Sequence, residues 1–141
     1  MNKTKVKTYA SDRVKCILDN SHVASGLTKD SFIKITPSGG GTSYTSGAYG
    51  EVVRSMDPSR MYEVEVVTDS GSPTDEWLMN RYKRDRDTYD GMFDMMIRDL
   101  GSNPLFKGQG CSIANIPENG YSSTAATHTW KILVAYGDYD T

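Results

Sequence analysis

The clearest pattern in the chain is the alternation of apolar and acidic residues over positions 61–68. The apolar side chains share one parity and the acids share the other, with Tyr62, Val64 and Val66 set against Glu63 and Glu65. Successive side chains of a strand point to opposite faces of a sheet. The segment is therefore predicted to be a strand with one face in the core and one acidic face.

Shorter apolar runs bounded by turn residues predict further strands. They cover Val14–Leu18, His22–Leu27, Ser31–Thr36, Met92–Asp99, Leu105–Pro117 and a last strand around Trp130–Tyr136. The turn-forming residues 19–21 are expected to join the first two strands into a hairpin. The segment 105–117 contains Gly108 and Gly110, so it is either a strand pair or one bulged strand.

Two of these strands repeat the one-sided pattern of residues 61–68. On the first, Phe93, Met95 and Ile97 are predicted to face the core, with Asp94 and Arg98 on the other face. On the last strand, the predicted inward positions are Trp130, Ile132, Val134 and Tyr136. The acidic end of the chain, residues 137–141, is expected to be exposed.

One helix is predicted in the middle of the chain. Ser72 is suited to the N-cap and Pro73 to the first helical position, and acids follow in the first turn. The apolar stripe is Trp77, Leu78 and Tyr82, and the helix is expected to end near Arg84. Basic residues gather towards that end: Arg81, Arg84 and Arg86. They are interpreted either as a solvated face or as contacts to acids of a neighbouring subunit.

Residues 38–56 are predicted to be a long mobile loop. The run Gly39-Gly40-Gly41 and the Ser and Thr residues after it supply little apolar surface to offset the entropy of ordering. Tyr44, Tyr49 and Val52 are nevertheless scattered through it. Aromatic residues on a mobile loop indicate a segment that becomes ordered when a partner covers it. The alternative is a surface loop whose tyrosines pack on their own domain.

Together these elements predict a mostly β fold with one α-helix. The expected architecture is a β-sandwich or open barrel of antiparallel strands capped by the helix. The length of 141 residues fits a single domain, residues 1–141. No apolar run approaches the roughly 20 residues that span a membrane, and no signal peptide is evident. A protein made in a cytoplasm is expected.

Charge and cysteine content narrow the function classes. With 16 Lys and Arg against 18 Asp and Glu, the net charge is −2, which disfavours stable binding of nucleic acid through its phosphates. Cys16 and Cys111 have no zinc-ligand spacing, and Cys16 is interpreted as a buried free thiol, with a disulfide as the alternative. His22 and His128 are interpreted as ordinary surface or strand residues. No metal or cofactor is predicted.

Enzyme signatures are absent from the sequence. It has no nucleophile elbow, no zinc-protease motif and no phosphate-binding loop. Glu63 and Glu65 are the nearest approach to paired catalytic carboxylates, but two acids on one strand face are more typical of a solvated surface than of a glycosidase cleft. The chain is therefore predicted not to be an enzyme.

Several segments, in order along the chain, resemble a family of short structural proteins of bacteriophages, the tail tube proteins of contractile tails. The resemblance covers the first strand ending near Leu18, Ser31-Phe32-Ile33, the helix start Ser72-Pro73 and Met96-Ile97-Arg98-Asp99. Its most specific part is Gly47-Ala48-Tyr49-Gly50-Glu51-Val52-Val53-Arg54-Ser55. The sequence departs from the family at Asp30-Ser31, where Asp-Gly is usual, and at Tyr49, where the loop usually has Asp.

The resemblance implies rings of six subunits that stack into a hollow tube inside a contractile sheath. Genomic DNA would pass transiently through the tube during ejection. The implied partners are other copies of the chain, the tail sheath protein, and baseplate and tail terminator proteins, in a virion tail assembled in the host cytoplasm. Because one small domain cannot enclose a DNA duplex, any channel must be oligomeric, and pairing of sheet edges between subunits removes exposed edges.

In this interpretation the loop orders across the joint between rings. The ring-stacking residues would be Tyr44, Gly47, Ala48, Tyr49, Gly50, Glu51, Val52 and Arg54, and the lumen candidates Glu63, Glu65 and Asp94. An acidic or mixed lumen lets DNA slide, since cationic contacts would hold its phosphates. Two alternatives stay open: a tube protein of a related contractile injection system, and a monomeric β-sandwich that binds carbohydrate or protein through Trp77 and surface tyrosines.

Overall fold

The computed structural model of the protein describes residues 14–24, 33–99, 105–118 and 126–140. These ranges contain nine strands and one helix. In chain order they are β1 (Val14–Leu18), β2 (His22–Val23), β3 (Ile33–Pro37), β4 (Gly41–Ser46), β5 (Val52–Asp57), β6 (Tyr62–Asp69), α1 (Pro73–Thr88), β7 (Phe93–Asp99), β8 (Leu105–Asn115) and β9 (Thr127–Asp140). The predicted strand residues Leu27, Ser31 and Phe32, and the resemblance at Asp30, lie outside the described residues.

Seven of the strands form one sheet in the order β2-β1-β7-β8-β9-β6-β3, and every neighbouring pair is antiparallel. The first two strands form the predicted hairpin. Strands β4 and β5 form a separate two-stranded sheet. The prediction of a mostly antiparallel β fold with one helix is confirmed.

The main sheet curves around the helix. Thr74 and Asp75 are adjacent in the first turn of α1, yet Thr74 Oγ1 lies 3.2 Å from His22 Nε2 on β2 and Asp75 Oδ1 lies 3.3 Å from Thr68 Oγ1 on β6. In a flat sheet β2 and β6 would be five strand spacings apart, about 24 Å. One helical turn cannot bridge that distance. Of the two predicted architectures, the strands therefore form an open barrel.

The core fills the concave side of this curved sheet. As predicted, Val64 and Val66 on β6, and Phe93, Met95 and Ile97 on β7, are buried. Leu78 of α1 is fully buried, while Trp77 and Tyr82 are partly buried against the same cluster. The alternation of the sequence therefore identifies the core face correctly on these strands.

Helix α1 begins as predicted and ends later. The hydroxyl of Ser72 accepts a hydrogen bond from the Asp75 N–H at 3.2 Å, and Pro73 occupies the first turn. The predicted end at Arg84 was wrong, because the helix continues to Thr88. The charged residues 83–87 contain no glycine or proline, so nothing in them stops a helix. The helix ends where Tyr89 adopts left-handed backbone angles and its N–H bonds to the Asp85 carbonyl at 2.9 Å.

A bulge changes which residues of β8 and β9 face the core. The segment 105–115 is one bulged strand, since Phe93 pairs with Cys111 but Met95 pairs with Gly108. On β9 the buried positions change parity after Val134, and Gly137 is buried instead of Tyr136. The predicted inward position of Tyr136 was therefore wrong, since 66% of this residue is exposed. Strict alternation along a strand does not anticipate a bulge in its neighbour.

The acidic end of the chain is part of the sheet. Residues 137–140 continue β9, and Phe106 on β8 pairs with Tyr139. The rings of Tyr62, Phe106 and Tyr139 pack together with centroids 5.1–6.1 Å apart. Gly137 is required beneath this cluster because a Cβ there would collide with the Tyr62 ring. The expectation of an exposed end is confirmed for Asp138 and Tyr139 and was wrong for Gly137, which is buried.

Candidate assembly surfaces

The segment predicted to be a mobile loop is a β-hairpin, here called the ribbon and defined as β4, β5 and the turn 47–51. All six cross-strand pairs are in register, from Gly41 opposite Asp57 to Ser46 opposite Val52. The Gly47 N–H closes the turn on the Glu51 carbonyl at 2.7 Å, and Gly50 has a φ of 83°. The prediction of an irregular loop was wrong because backbone pairing, which needs no apolar composition, organises the segment.

The two faces of the ribbon differ in chemistry. One face carries Tyr44, Val52 and Met56, which are 69%, 62% and 65% exposed. The same face carries Arg54, whose Nη2 lies 3.0 Å from Met56 Sδ. The opposite face is mainly hydroxylic, with Val53 as its larger apolar residue. Three unburied apolar side chains on one face of a two-stranded sheet are typical of a contact surface.

The predicted ring-stacking residues separate into two groups on the ribbon. Tyr44, Val52 and Arg54 share the apolar face. The others lie in the turn at its tip: Gly47, Ala48, Tyr49, Gly50 and Glu51. Tyr49 is 96% exposed, so the tip carries an unburied aromatic side chain. The structure brings each group together, and their contacts in an assembly stay a prediction.

The base of the ribbon is fixed by Asp57. Its carboxylate accepts hydrogen bonds from the Ser59 N–H and the Gly40 N–H, each at 3.0 Å, and these bonds lower the pKa of Asp57. Gly40 and Gly41 have φ angles of 86° and 97°, which glycine adopts without steric cost. The triple glycine therefore turns the chain out of β3 and into the ribbon.

The lumen candidates lie on the convex face of the main sheet. Glu63 and Glu65 on β6 are partly buried, and Asp94 on β7 is exposed. Glu65 lies between Lys34 and Lys131 in the cross-strand register, and Lys131 Nζ is 3.9 Å from Glu63 Oε1. The β6 strand is acidic as predicted, but neighbouring lysines offset its charge. The convex face as a whole carries both signs.

The three arginines predicted at subunit contacts have partners within the chain. Arg81 is mostly buried, pairs with Asp19 at 2.8 Å and places its guanidinium carbon 4.7 Å from the centre of the Trp77 ring. Arg84 pairs with Asp90 at 2.8 Å on the surface, and Arg86 lies over Tyr82. Arg81 thus connects the helix to the β1–β2 turn, whereas Arg84 and Arg86 remain candidates for contacts between subunits.

A buried polar cluster centred on Asp75 is absent from the sequence interpretation. Asp75 Oδ1 is 2.8 Å from His128 Nδ1 and accepts a hydrogen bond from Trp130 Nε1 at 2.9 Å, while Oδ2 accepts from the Gly71 N–H at 3.2 Å. Burial by itself raises the pKa of Asp75, but these hydrogen bonds outweigh it and lower the pKa below its usual value. The cluster fixes the start of α1 to β9.

Both histidines have roles that the sequence does not reveal. His128 is buried against Asp75, and His22 stacks on Trp77 with ring centroids 5.6 Å apart. Both are strand residues, on β2 and β9, as the interpretation allowed, but their contacts join residues more than fifty positions apart in sequence. Trp77 also contacts Phe93 and Arg81, so its ring is engaged within the protein. This argues against Trp77 as a ligand platform.

Cys16 and Cys111 are buried free thiols, which confirms the main interpretation of Cys16. Burial raises the pKa of each thiol to about 12. Cys111 adds to the rise in the pKa of Cys16, and Asp94 adds to the rise in the pKa of Cys111. Within the described ranges no group of three or more His, Cys, Asp or Glu residues is placed to hold a metal ion. None of the helices in that part of the chain has the length and apolar character needed to cross a bilayer.

Comparison with known proteins gives the context for these surfaces. No family model matches the chain. It is 24% identical over 135 residues to "Structural protein ORF10" of Pseudomonas phage KPP10. The aligned region covers 91% of this chain and 78% of that protein. The sequence is thus related, weakly, to a phage structural protein.

Solved structures give a stronger likeness in fold. The tube-terminating cap of the anti-feeding prophage matches with a TM-score of 0.67 and 9% identity, over 100% of this chain and 96% of the other. The sheath/tube terminator of the extracellular contractile injection system PVC matches at 0.66 and 9% identity, over 98% and 100%. A chain of the PVC sheath-tube complex matches at 0.59 and 9% identity, over 94% and 91%. The chain has the fold of contractile-tail components.

Proposed function

We propose that this protein is a ring-forming structural subunit of a contractile phage tail, and that six copies form a ring of the inner tail tube. The observation that carries the proposal is the ribbon. Every residue of β4 and β5 is exposed, and among the described strands they pair only with each other. An isolated two-stranded sheet is marginal in water. A self-assembling subunit provides the cover that a monomer lacks.

The comparisons support a place in a contractile tail, and they favour a specific second candidate. The matches with the higher TM-scores are a tube-terminating cap and a sheath/tube terminator, ahead of the sheath-tube complex. A terminator would form one ring at the end of a tube, whereas a tube subunit would stack ring on ring. The partners implied by the names of the matched structures are a tube and a sheath. Baseplate proteins, DNA passage and assembly in the host cytoplasm belong to the tube proposal.

Electron microscopy of the purified protein at rising concentration distinguishes the candidates. Hollow tubes of open length support a tube subunit, while single rings that do not lengthen support a terminator. A chain that stays monomeric up to millimolar concentration, alone and with preformed tail tubes as nuclei, contradicts both. That result would favour the monomeric binding module. Replacing residues 41–57 with a short Gly-Ser linker is expected to prevent assembly and leave the main sheet folded.

The convex face of the sheet is the proposed lumen. It presents Glu63 and Glu65 beside Lys34 and Lys131, and Asp94 on β7, so it carries both signs of charge. Such a face offers a passing duplex no continuous cationic track, and DNA phosphates are held chiefly by lysine and arginine. Changing both Glu63 and Glu65 to lysine is expected to leave tubes intact and slow DNA ejection. Unchanged ejection kinetics would contradict the assignment of this face.

The comparisons only partly distinguish a phage tail from a contractile injection system. The sequence relative comes from a phage, while the structural matches come from an anti-feeding prophage and an extracellular contractile injection system. We favour the phage tail because the sequence similarity points there. Capsid and terminase genes beside this gene would support it, and a toxin cargo gene cluster would favour the injection system.

A further inference from the structure

Strand β9 extends well beyond its neighbour β6. It has 14 residues, but the pairing with β6 ends at Val134 opposite Tyr62. From Ala135 onward, β9 pairs with β8 on one side. On the other side, the described residues supply one backbone contact, the Gly137 N–H to the Arg60 carbonyl at 2.8 Å. Among the described residues, the second half of β9 is therefore a sheet edge that is paired at Gly137 and otherwise open to an added strand.

An apolar groove lies at the start of this edge, where Ala135 and Tyr136 follow Val134. It has a volume of about 520 Å³ and is lined by Pro58, Ser59, Arg60, Met61, Ala135 and Tyr136. Met61 is 53% exposed and Tyr136 is 66% exposed. The groove thus lies at a strand edge without a full neighbouring strand and has unburied apolar side chains. Peptides that bind by strand addition use both features, the backbone for affinity and the side-chain pockets for specificity.

The ribbon matches this edge and groove in strand length and in apolar character. Each of its strands has six residues, which equals the length of β9 beyond Val134, residues 135–140. Its apolar face carries Tyr44, Val52 and Met56. All the side chains of β4 and β5 are exposed, so the ribbon does not occupy the groove of its own chain.

We infer that the ribbon of one copy docks into the β9 groove of a second copy and adds its strands to that edge. This inference rests on the proposed function and specifies the contact that builds the ring, so it places Tyr44, Val52 and Arg54 within a ring and not at the joint between rings that the resemblance implies. Ribbon and groove are different surfaces of the same chain, so the interface is head-to-tail. Such an interface closes into a ring when the rotation between copies permits it, and otherwise it makes a filament.

Charge supports the pairing of these two surfaces. Arg54 lies on the apolar face of the ribbon, beside Tyr44 in the register. Asp138 is exposed two residues after Tyr136, on the same face of β9. The ribbon face with Arg54 thus meets a groove that is lined by Arg60 and Tyr136, with the Asp138 carboxylate beyond it on β9. Arg54→Glu is expected to prevent assembly, and Asp138→Arg in the same chain is expected to restore it.

Disulfide trapping between copies tests the contact directly. Val52→Cys is made in one preparation and Tyr136→Cys in another; both positions are exposed, so both variants are expected to fold. The native thiols do not interfere, because both are buried with pKa values near 12. The two preparations are mixed, allowed to assemble and oxidised. The control pairs Val52→Cys with Asn80→Cys, which is exposed on α1.

We expect disulfide-linked dimers from the Val52 and Tyr136 mixture and at least tenfold less product from the Asn80 mixture. A chain carrying both Val52→Cys and Tyr136→Cys should give a ladder that stops at the number of subunits in one ring. Product from Val52→Cys alone would show ribbon against ribbon and overturn the inference. Equal yields from the Asn80 control would show that the disulfides form by random collision of copies, and this result would overturn the inference.

The failure of the inference can be separated from failure of the proposed function. Rings or tubes seen by electron microscopy, with no mixed disulfide, would leave the proposed function intact and overturn the docking contact. Absence of any assembly by the unmodified protein would overturn the proposed function and the docking contact together. A mixed disulfide in particles that are open filaments would support the contact and contradict the ring.

Discussion

Trp130 and Tyr44 are both aromatic residues on antiparallel strands, but Trp130 is fully buried whereas 69% of Tyr44 is exposed. The difference extends to the regions around them. The curved sheet closes over α1 and supplies its own core. The ribbon has cross-strand hydrogen bonds and no core. The free energy of folding is therefore concentrated in one region, and the other is available for contacts with further copies.

The first way to test this contrast is to remove the largest buried side chain. Trp130→Ala is expected to lower the free energy of unfolding by about 4 kcal/mol, because it leaves a cavity and removes a hydrogen bond to Asp75. Urea unfolding followed by circular dichroism measures the loss. Tyr136→Ala, on the same strand but exposed, is the control and should change stability by less than about 0.5 kcal/mol. Equal losses in the two variants would contradict the assigned core.

The next largest effect is expected at Asp75, which ties the helix to the sheet. Asp75→Asn should cost about 3 kcal/mol, since it removes the charge that holds His128, Trp130 and the Gly71 N–H. The pKa of Asp75 is lowered in the folded state, so its contribution is complete above the unfolded value of 3.8 and is lost as the pH falls through the lower folded value.

The unfolding free energy of the parent protein and of Asp75→Asn should therefore converge as the pH falls below about 3.8. Urea titrations between pH 7 and pH 2 measure this convergence. Glu76→Gln, at an exposed acid in the same helical turn, is the control and should change the free energy of unfolding at pH 7 by less than about 0.5 kcal/mol. A constant gap between parent and Asp75→Asn across this range would contradict the role given to the carboxylate.

The main sheet and the ribbon also differ in how far the sequence predicts their structure. On β6 and β7 alternation identified the buried residues, and Ser72-Pro73 identified the start of α1, because both signals are local. The ribbon was missed because β4 is rich in Gly, Ser and Thr and neither strand has a buried face. Hydrophobic periodicity reveals which face of a strand is buried. A hairpin with no buried face therefore shows no such periodicity.

The candidate surfaces were predicted less completely than the core for a related reason. The groove depends on Tyr136 pointing outward, which follows from a bulge that strict alternation does not show. The Asp75 cluster joins residues more than fifty positions apart, and no motif marks it. The resemblance over residues 47–55 covers the turn of the ribbon and part of β5, but it did not predict a hairpin there.

A smaller effect, opposite in sign, is expected at the end of the helix. Tyr89 has a φ of 56° and is 89% exposed, so its side chain contributes little packing to offset the left-handed backbone. Tyr89→Gly is expected to raise the free energy of unfolding by about 0.5 kcal/mol, and Tyr89→Asn by less. Thermal unfolding measures both. A clear loss of stability in Tyr89→Gly would show that the ring packs on the body of the subunit.

The smallest effect on stability is expected in the ribbon, where two adjacent valines make a matched pair. Val52 and Val53 are 62% and 56% exposed and lie on opposite faces of β5. Changing either to serine should alter the free energy of unfolding by less than about 0.5 kcal/mol. Assembly should separate them, because Val52 shares its face with Tyr44 and Met56.

Sedimentation at a series of concentrations gives the critical concentration for assembly of each variant. A buried contact at an interface is worth about 2 kcal/mol, so Val52→Ser should raise the critical concentration roughly thirtyfold. Val53→Ser should leave it within about threefold of the parent value. If both variants assemble like the parent, the ribbon is no contact surface. If both variants lose assembly equally, both faces of the ribbon are covered in the assembly. A groove that receives only one face is then not the whole contact.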